Sequence, residues 1–102
     1  MTYWKDLLGK DTVVIFSKSY CPYCTEASVI FEILEVGFKK IEVDKEWNEE
    51  EEGKLKAETK QNTFPNIWIG DQHIGGCSDL KGKVEDESLL VLLDNLGISY
   101  SK

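Results

Sequence analysis

The stretch TVVIFSKSYCPYCTEA, residues 12–27, joins a short apolar run to a helical pattern, with two cysteines at the junction. Its first six residues are rich in β-branched side chains, which is typical of a central strand buried on both faces. Across residues 22–36 the apolar positions recur at helical spacing, and Gly37 is predicted to end that helix. Cys21 and Cys24 therefore lie just after a buried strand. They can bind a metal, form a structural disulfide or carry out redox chemistry.

The composition is that of an acidic globular chain. Its 102 residues are enough for a core without disulfides or metals, and residues 1–102 are predicted to form a single domain. Hydrophobic residues make up 41% of the chain, which argues against disorder. Twelve lysines and no arginine stand against 19 acidic residues, for a net charge of −7. That balance disfavours nucleic acids and anionic membranes as partners, because their surfaces select clustered positive charge.

The N-terminal residues 1–11 show no targeting pattern. They lack the apolar region of a secretory signal and the Arg/Ser richness of a transit peptide. No apolar run in the chain approaches the roughly 20 residues of a membrane span. The predicted compartment is therefore the reducing cytosol, where three cysteines would not form a disulfide framework.

Seven further segments complete a predicted order of α-β-α-β-α-β-β-α-α. They are a helix at 3–8 capped by Thr2 and ended by Gly9, a strand at 38–43, a solvated helix at 47–60 anchored by Trp47 and Leu55, hairpin strands at 66–70 and 72–76, one or two helical turns at 77–83, and an apolar helix at 86–96 ended by Gly97. A βαβ unit followed by a hairpin implies a mixed sheet covered by helices. The predicted fold class is α/β.

The hypotheses of a metal site and of a structural disulfide at these cysteines have little support. Zinc takes about four ligands, commonly from two CxxC pairs or from a CxxC with a His pair. The other soft ligands of the chain are Cys77 and His73, and their spacing fits no zinc pattern. A structural disulfide between Cys21 and Cys24 would close a very small loop in a reducing compartment. No metal is therefore predicted, although both alternatives stay open at this point.

The position of the pair favours redox chemistry. Pro22 suits the first position of a helix, which makes Cys21 the N-cap residue. The Cys21 sulfur can then accept N–H groups from Tyr23 and Cys24 at the positive end of the helix dipole. The ammonium group of Lys18 can place a further positive charge near that sulfur. These effects favour the thiolate of Cys21, which is the nucleophilic form, and leave Cys24 as the resolving thiol.

Three motifs in register resemble the dithiol glutaredoxins over nearly the whole chain. They are CPYC at 21–24 after a strand, TFPNIWIG at 63–70 leading into the hairpin, and IGGCSDL at 74–80 after it. The resemblance implies a thioredoxin-like fold, with a four-stranded mixed sheet and helices on both faces. It also implies glutathione-dependent thiol–disulfide exchange, with Cys21 and Cys24 as a redox-active disulfide. Glutathione would be the reducing co-substrate, and no bound cofactor is predicted.

The resemblance also implies glutathione-binding residues. Thr63, Phe64 and Pro65 correspond to the family's Thr-Val-Pro, in which the proline is cis, whereas an isolated proline is more often trans. A cis bond there exposes the Phe64 backbone to the cysteine of glutathione, much as a sheet edge pairs with a strand. Phe64 replaces the usual valine and is expected to narrow the groove in which glutathione would bind. Tyr23 would pack beside the bound sulfur.

The segment from Gly75 to Asp79 is predicted to be a backbone nest that opens a helix. Its amides can bind the carboxylate of the γ-glutamyl end of glutathione, and Asp79 can meet the ammonium there. The family uses this segment, including Cys77, Ser78 and Asp79, for that purpose. Taken alone, the sequence GGCSD is more often a simple turn. Cys77 is predicted to be a small, half-buried residue and not a third redox thiol, and the tryptophans and His73 are predicted to be packing residues.

The chain departs from the family where the glycine carboxylate of glutathione would bind. Glu52 stands where the family often has glutamine, and Asn62 stands where it commonly has arginine. Carboxylate binding is therefore assigned to Lys18, with help from Lys60 or Gln61. A glutamate near that carboxylate is expected to weaken glutathione binding by charge repulsion.

Two alternatives remain beside the predicted reductase of protein–glutathione mixed disulfides and protein disulfides. One is a thioredoxin-like reductase that an enzyme reduces in place of glutathione, which Pro22-Tyr23 and the GGCSD segment disfavour. The other is an iron–sulfur carrier in which Cys21 of two subunits and two glutathiones hold a cluster. Such carriers typically have glycine in place of Pro22 and serine in place of Cys24. The predicted protein is a colourless monomer that acts on glutathionylated or disulfide-containing proteins.

Overall fold

Strand β1 (Val13–Ser17) is an inner strand of a four-stranded sheet in the computed structural model, which describes residues 4–101. The other strands are β2 (Lys39–Glu42), β3 (Asn66–Ile69) and β4 (Gln72–Gly75), and the order across the sheet is β2-β1-β3-β4. β1 pairs in parallel with β2 and antiparallel with β3, and β3 forms an antiparallel hairpin with β4. The mixed sheet and the hairpin at Gly70-Asp71 are confirmed.

Successive residues of β1 supply the cores on the two faces of the sheet. Val13 and Ile15 lie in one hydrophobic cluster, whereas Val14 and Phe16 lie in the other, as the alternation of side chains along a strand requires. All five residues of β1 are buried. The prediction of a strand buried on both faces is therefore confirmed.

Helices cover both faces of the sheet. The first cluster contains side chains from α1 (Pro22–Ile33), α4 (Cys77–Glu85) and α5 (Ser88–Asn95). The second contains Trp4 of a 3-10 helix (Trp4–Leu7), Val43 of the short α2 (Val43–Glu46) and Leu55 of α3 (Glu49–Thr59). No helix among residues 4–101 is long and apolar enough to cross a bilayer.

The two predicted ends of α1 were not equally accurate. Pro22 is its first residue, as predicted, but Gly37 does not end it. The chain leaves the helix through Glu35, which adopts a left-handed conformation with φ of 57°, and the Val36 N–H then bonds to the Phe31 carbonyl at 2.9 Å. This earlier turn brings Val36, only 3% exposed, back into the core.

Three other segments differ from prediction. The first helix is a 3-10 helix, and its predicted cap Thr2 lies outside the described residues. Val43, predicted to end a strand at 38–43, instead begins α2 and is buried in the second hydrophobic cluster. In the helix predicted as solvated, Asn48 is the N-cap and Leu55 is buried as predicted, but Glu51 is buried as well.

Candidate active site

Cys21 and Cys24 lie at the N-terminus of α1 and are joined by a disulfide with 5.2 Å between their Cα atoms. Cys21 has the extended backbone of an N-cap residue, and its sulfur accepts the Cys24 N–H at 3.1 Å. Pro22 occupies the first helical position, where a missing N–H costs no helical bond. Cys21 is partly exposed and Cys24 is fully buried, so a partner's sulfur can reach only the first of them.

The loop between β1 and Cys21 is fixed by Asp44 of α2. One carboxylate oxygen of Asp44 accepts the Ser19 N–H at 3.0 Å, and the other accepts the Ser19 hydroxyl at 2.6 Å. The hydrogen bond from the Ser19 hydroxyl holds the pKa of Asp44 below its usual value. Asp44 therefore helps to set where Lys18 and Cys21 stand, a role that sequence reasoning missed.

The segment from Thr63 to Pro65 lies against the dithiol. The Phe64–Pro65 peptide bond is cis, which confirms the prediction. The Cys21 sulfur is 3.6 Å from the Phe64 carbonyl oxygen. The Gln61 side-chain amide donates to the carbonyls of Thr63 at 2.9 Å and of Pro65 at 2.8 Å, which holds the turn in shape.

The segment from Gly75 to Asp79 opens α4, as predicted. The Asp79 carboxylate accepts the Gly76 N–H at 2.9 Å and so closes the first turn of the helix. Gly75 has a φ of 115°, and a Cβ at that position would lie 2.3 Å from an Asp79 oxygen. Only glycine fits there without moving Asp79. Cys77 is 6% exposed, more buried than predicted, and burial raises the pKa of its thiol.

These segments border a groove made of two neighbouring cavities. A cavity of about 360 Å³ is lined by Tyr23, Gln61, Thr63, Phe64, Pro65, Gly76, Cys77, Ser78 and Asp79. A second cavity of about 410 Å³ is lined by Lys18, Tyr20, Cys21, Pro22, Lys56, Asn62, Thr63 and Phe64. Thr63 and Phe64 line both. The residues predicted from the sequence to bind glutathione are thus brought together along one groove that passes the dithiol.

The lysine end of the groove contains a charge cluster. Lys18 donates to one oxygen of the Glu52 carboxylate at 2.7 Å, and the Lys56 ammonium lies 2.8 Å from the other. The hydrogen bond from Lys18, and then that from Lys56, keeps the pKa of Glu52 below its usual value. Glu52 therefore lies beside Lys18, as the resemblance implied, but as a paired and not an isolated carboxylate.

Comparison with known proteins agrees with this geometry. The glutaredoxin family model matches residues 13–74. A glutaredoxin of Ricinus communis is 41% identical over 98 residues, covering 95% of this chain and 96% of the relative. Glutaredoxin-C2 of Arabidopsis thaliana is 37% identical over 99 residues, covering 96% and 89%. The crystal structure of a buckwheat glutaredoxin–glutathione complex superposes with a TM-score of 0.87 at 34% identity, covering 94% of this chain and 88% of that one.

The chain belongs to the glutaredoxin family. It has the thioredoxin-like fold of that family, and its cysteine pair fits the dithiol motif. Glutaredoxins are thiol–disulfide oxidoreductases that depend on glutathione, and that is the activity of this protein.

Sequence reasoning did not find every residue at this glutaredoxin's site. Lys56 was missed, since a lysine in a run of charged helix residues gives no signal until the helix is placed against Phe64. Of the two residues predicted to assist Lys18, Gln61 lines the groove, whereas Lys60 ends α3 in a left-handed conformation with φ of 57°. His73 packs on the Trp68 ring at 5.0 Å, in line with a packing role, and burial lowers its pKa.

Proposed function

We propose that Cys21 is the attacking thiolate and Cys24 the resolving thiol in the reduction of protein–glutathione mixed disulfides and protein disulfides. The observation that carries the proposal is the asymmetry of the pair. Cys21 is partly exposed and its sulfur accepts a helix N-terminal amide, whereas Cys24 is buried. A thiolate at a helix N-terminus is stabilised by the amide and by the helix dipole.

The reaction on a mixed disulfide needs one enzyme thiol. The Cys21 thiolate attacks the glutathione sulfur of the mixed disulfide, forms the Cys21–glutathione disulfide and releases the protein substrate as a thiolate. A second glutathione thiolate then attacks that adduct, which yields glutathione disulfide and regenerates the Cys21 thiolate. Each cycle consumes one free glutathione, which leaves joined to the glutathione of the mixed disulfide as glutathione disulfide, and reduces the substrate cysteine.

A second route uses Cys24. Its thiolate attacks the Cys21 sulfur in any mixed disulfide, releases the bound thiol and leaves the Cys21–Cys24 disulfide. Two glutathiones then reduce that disulfide in successive exchanges. The 5.2 Å between the Cα atoms of the two cysteines permits this bond without rearrangement of α1.

Glutathione is proposed to lie along the groove. Its cysteine backbone would pair with Phe64 beside the Cys21 sulfur, and Tyr23 would cover the bound sulfur. Its γ-glutamyl carboxylate would meet the amides of Cys77 and Ser78, and its ammonium would meet Asp79. Lys18 would bind the glycine carboxylate. The support is the arrangement of these residues around two adjoining cavities.

Separate serine variants of the cysteines test the proposal. Cys21→Ser should abolish both reduction of a small glutathione mixed disulfide and reduction of a protein disulfide. Cys24→Ser should keep or raise the first activity, because the adduct can no longer divert into the intramolecular disulfide, and should lose the second. Both assays are run with glutathione and glutathione reductase supplied.

Cys77→Ser is the matched control, because it removes a buried thiol that lies beside the groove and has no part in either route. It should change either activity little. If Cys24→Ser proves as inactive as Cys21→Ser on the small mixed disulfide, the route through a second glutathione is wrong. A dithiol mechanism of the thioredoxin kind would then be the better account of the cysteine pair.

We also propose that the protein acts as a cytoplasmic monomer without a resident metal and passes electrons from glutathione to protein disulfides. The support is the CPYC motif, together with the acidic charge of the chain. The purified protein should be colourless and should elute as a monomer in size-exclusion chromatography with light scattering. A brown dimer would instead indicate an iron–sulfur carrier.

A further inference from the structure

Lys56 occupies an unusual position at the lysine end of the groove. Its ammonium lies 2.8 Å from one oxygen of Glu52, and the Lys18 ammonium lies 2.7 Å from the other. Two ammonium groups thus share one carboxylate, which leaves the cluster with one net positive charge. If Lys56 were absent, Glu52 would neutralise Lys18.

The Phe64 ring lies beside both lysines. Its centroid is 5.2 Å from the Lys18 nitrogen and 5.8 Å from the Lys56 nitrogen, within the range of cation–π attraction. The side chains of Lys18 and Glu52 are only 16% and 18% exposed, and that of Lys56 is 32% exposed. Partial burial strengthens the interactions among these charges relative to an exposed ion pair. The cluster is therefore held in place at the wall of the cavity that contains Cys21.

We propose that Lys56 is a specificity-determining residue for the glycine carboxylate of glutathione. It offsets the charge of Glu52, so that the Lys18 ammonium can still attract a carboxylate from the thiol substrate. The inference rests on the proposed placement of glutathione along the groove. Lys56 thereby compensates within this chain for the glutamate that stands where the family often has glutamine.

The test is a double-mutant cycle on the Michaelis constant for glutathione. Lys56→Ala should raise that constant roughly two- to fivefold, with kcat little changed, because Glu52 then neutralises Lys18. Glu52→Gln alone should lower it by about two- to threefold. In the Glu52→Gln background, Lys56→Ala should raise it less than in the wild-type background, since the Lys18 ammonium is then free to bind the carboxylate and no charge of Glu52 remains for Lys56 to offset.

A second substrate isolates the carboxylate. The glycyl ethyl ester of glutathione has the same thiol and the same γ-glutamyl end but no charge at its glycine end. Its Michaelis constant should be the same for the wild-type protein and for Lys56→Ala. A loss of fold would impair both thiols equally, so the ratio of the two constants separates a specificity effect from a structural one.

Two matched variants control for charge and for packing. Lys54→Ala removes a lysine of the same helix that pairs with Glu50 at 3.7 Å and lines neither cavity, and it should leave both Michaelis constants unchanged. Lys56→Met keeps most of the alkyl stem beside Phe64 and should behave like Lys56→Ala. Thermal melts of all variants verify that each is folded.

Three results would overturn the inference. One is an unchanged Michaelis constant for glutathione in Lys56→Ala, and another is an equal increase in the wild-type and Glu52→Gln backgrounds. The third is an equal increase for glutathione and its ester. Failure of the proposed function is distinguishable, because the wild-type protein would then show no saturable dependence on glutathione, and the role of Lys56 would fall with it.

Discussion

The N-terminus of α1 and the helix α3 contribute to the same groove in different ways. At α1 the chemistry follows from backbone geometry, since any cysteine placed at the N-cap receives the Cys24 amide and the positive end of the dipole. At α3 the four consecutive glutamates 49–52 have three different environments. Glu51 is buried, Glu52 is paired with two lysines, and Glu49 and Glu50 are exposed, with Glu50 paired to Lys54. The comparison shows that backbone-determined features are readable from sequence, whereas side-chain pairing depends on what packs against the helix.

The largest expected effect concerns the reactivity of Cys21 at the α1 end. In the reduced protein its thiol should have a pKa well below the ordinary value of about 8.5, because the helix N-terminus and Lys18 stabilise the thiolate. At pH 6 Cys21 should therefore be alkylated roughly tenfold faster than an unperturbed thiol, because the larger thiolate fraction is partly offset by the lower nucleophilicity of a low-pKa thiolate. The pH dependence of alkylation, followed by mass spectrometry of each cysteine, measures this.

Cys24 and Cys77 are internal controls for that measurement, since both are buried and should react slowly at neutral pH. A midpoint for Cys21 near 8.5 would contradict the prediction. The backbone of α1 would then not activate the nucleophile, and the contrast with α3 would lose its basis.

The same contrast explains which parts of the fold the sequence predicted. Four features each depend on a local rule about burial, proline or glycine: the buried strand β1, the start of α1 at Pro22, the hairpin, and the positive φ of Gly75 just before α4. The end of α1 did not follow its local rule, because burial of Val36 favours a left-handed Glu35 over a turn at Gly37. The start of α2 at Val43 is a similar case, since Val43 packs in the second hydrophobic cluster.

A second prediction separates neighbouring glutamates of α3. Glu51 is 2% exposed, and its carboxylate accepts the backbone N–H of Trp4 at 2.9 Å, which joins the N-terminal 3-10 helix to α3. Glu51→Ala should therefore lower the free energy of unfolding by about 1–3 kcal/mol, the range for losing a buried hydrogen-bond partner. Chemical denaturation monitored by circular dichroism measures the change.

Glu50→Ala is the matched control, because it removes a glutamate one position earlier whose side chain is 73% exposed. Its effect on unfolding should stay within about 0.5 kcal/mol. Equal effects of the two substitutions would mean that α3 is solvated along the whole acidic run, as the sequence alone suggested.

The residues of the site likewise divide into those that a local motif predicts and those that only tertiary contacts reveal. The resemblance pointed to Cys21, to the cis proline segment and to the residues after Gly75 because short motifs mark them. Lys56 and Asp44 carry no motif. Asp44 acts through Ser19, which is distant in sequence, and Lys56 reaches the groove only because α3 lies beside Phe64, so only the folded chain shows what they do.

The smallest expected effect is the pH dependence of the Glu52 cluster. Lys18 and then Lys56 lower the pKa of Glu52 in the folded state, so the carboxylate stabilises the fold above its ordinary pKa of 4.5. This contribution is lost as the pH falls below 4.5 through the folded-state value, because the carboxylate becomes protonated. Glu52→Gln should thus melt at a lower temperature than the wild-type protein at pH 7, and the difference should shrink toward low pH. A difference that stays constant from pH 7 to pH 3 would mean that the ion pairs do not stabilise the fold.

The loss of stability predicted for Glu52→Gln is accompanied by tighter use of glutathione, since the same substitution should lower the Michaelis constant for glutathione. The ion pairs of Glu52 thus stabilise the fold but reduce the positive charge that attracts the glycine carboxylate of glutathione. Lys56 restores one positive charge, so that Glu52 can stabilise the fold while the site still attracts the carboxylate.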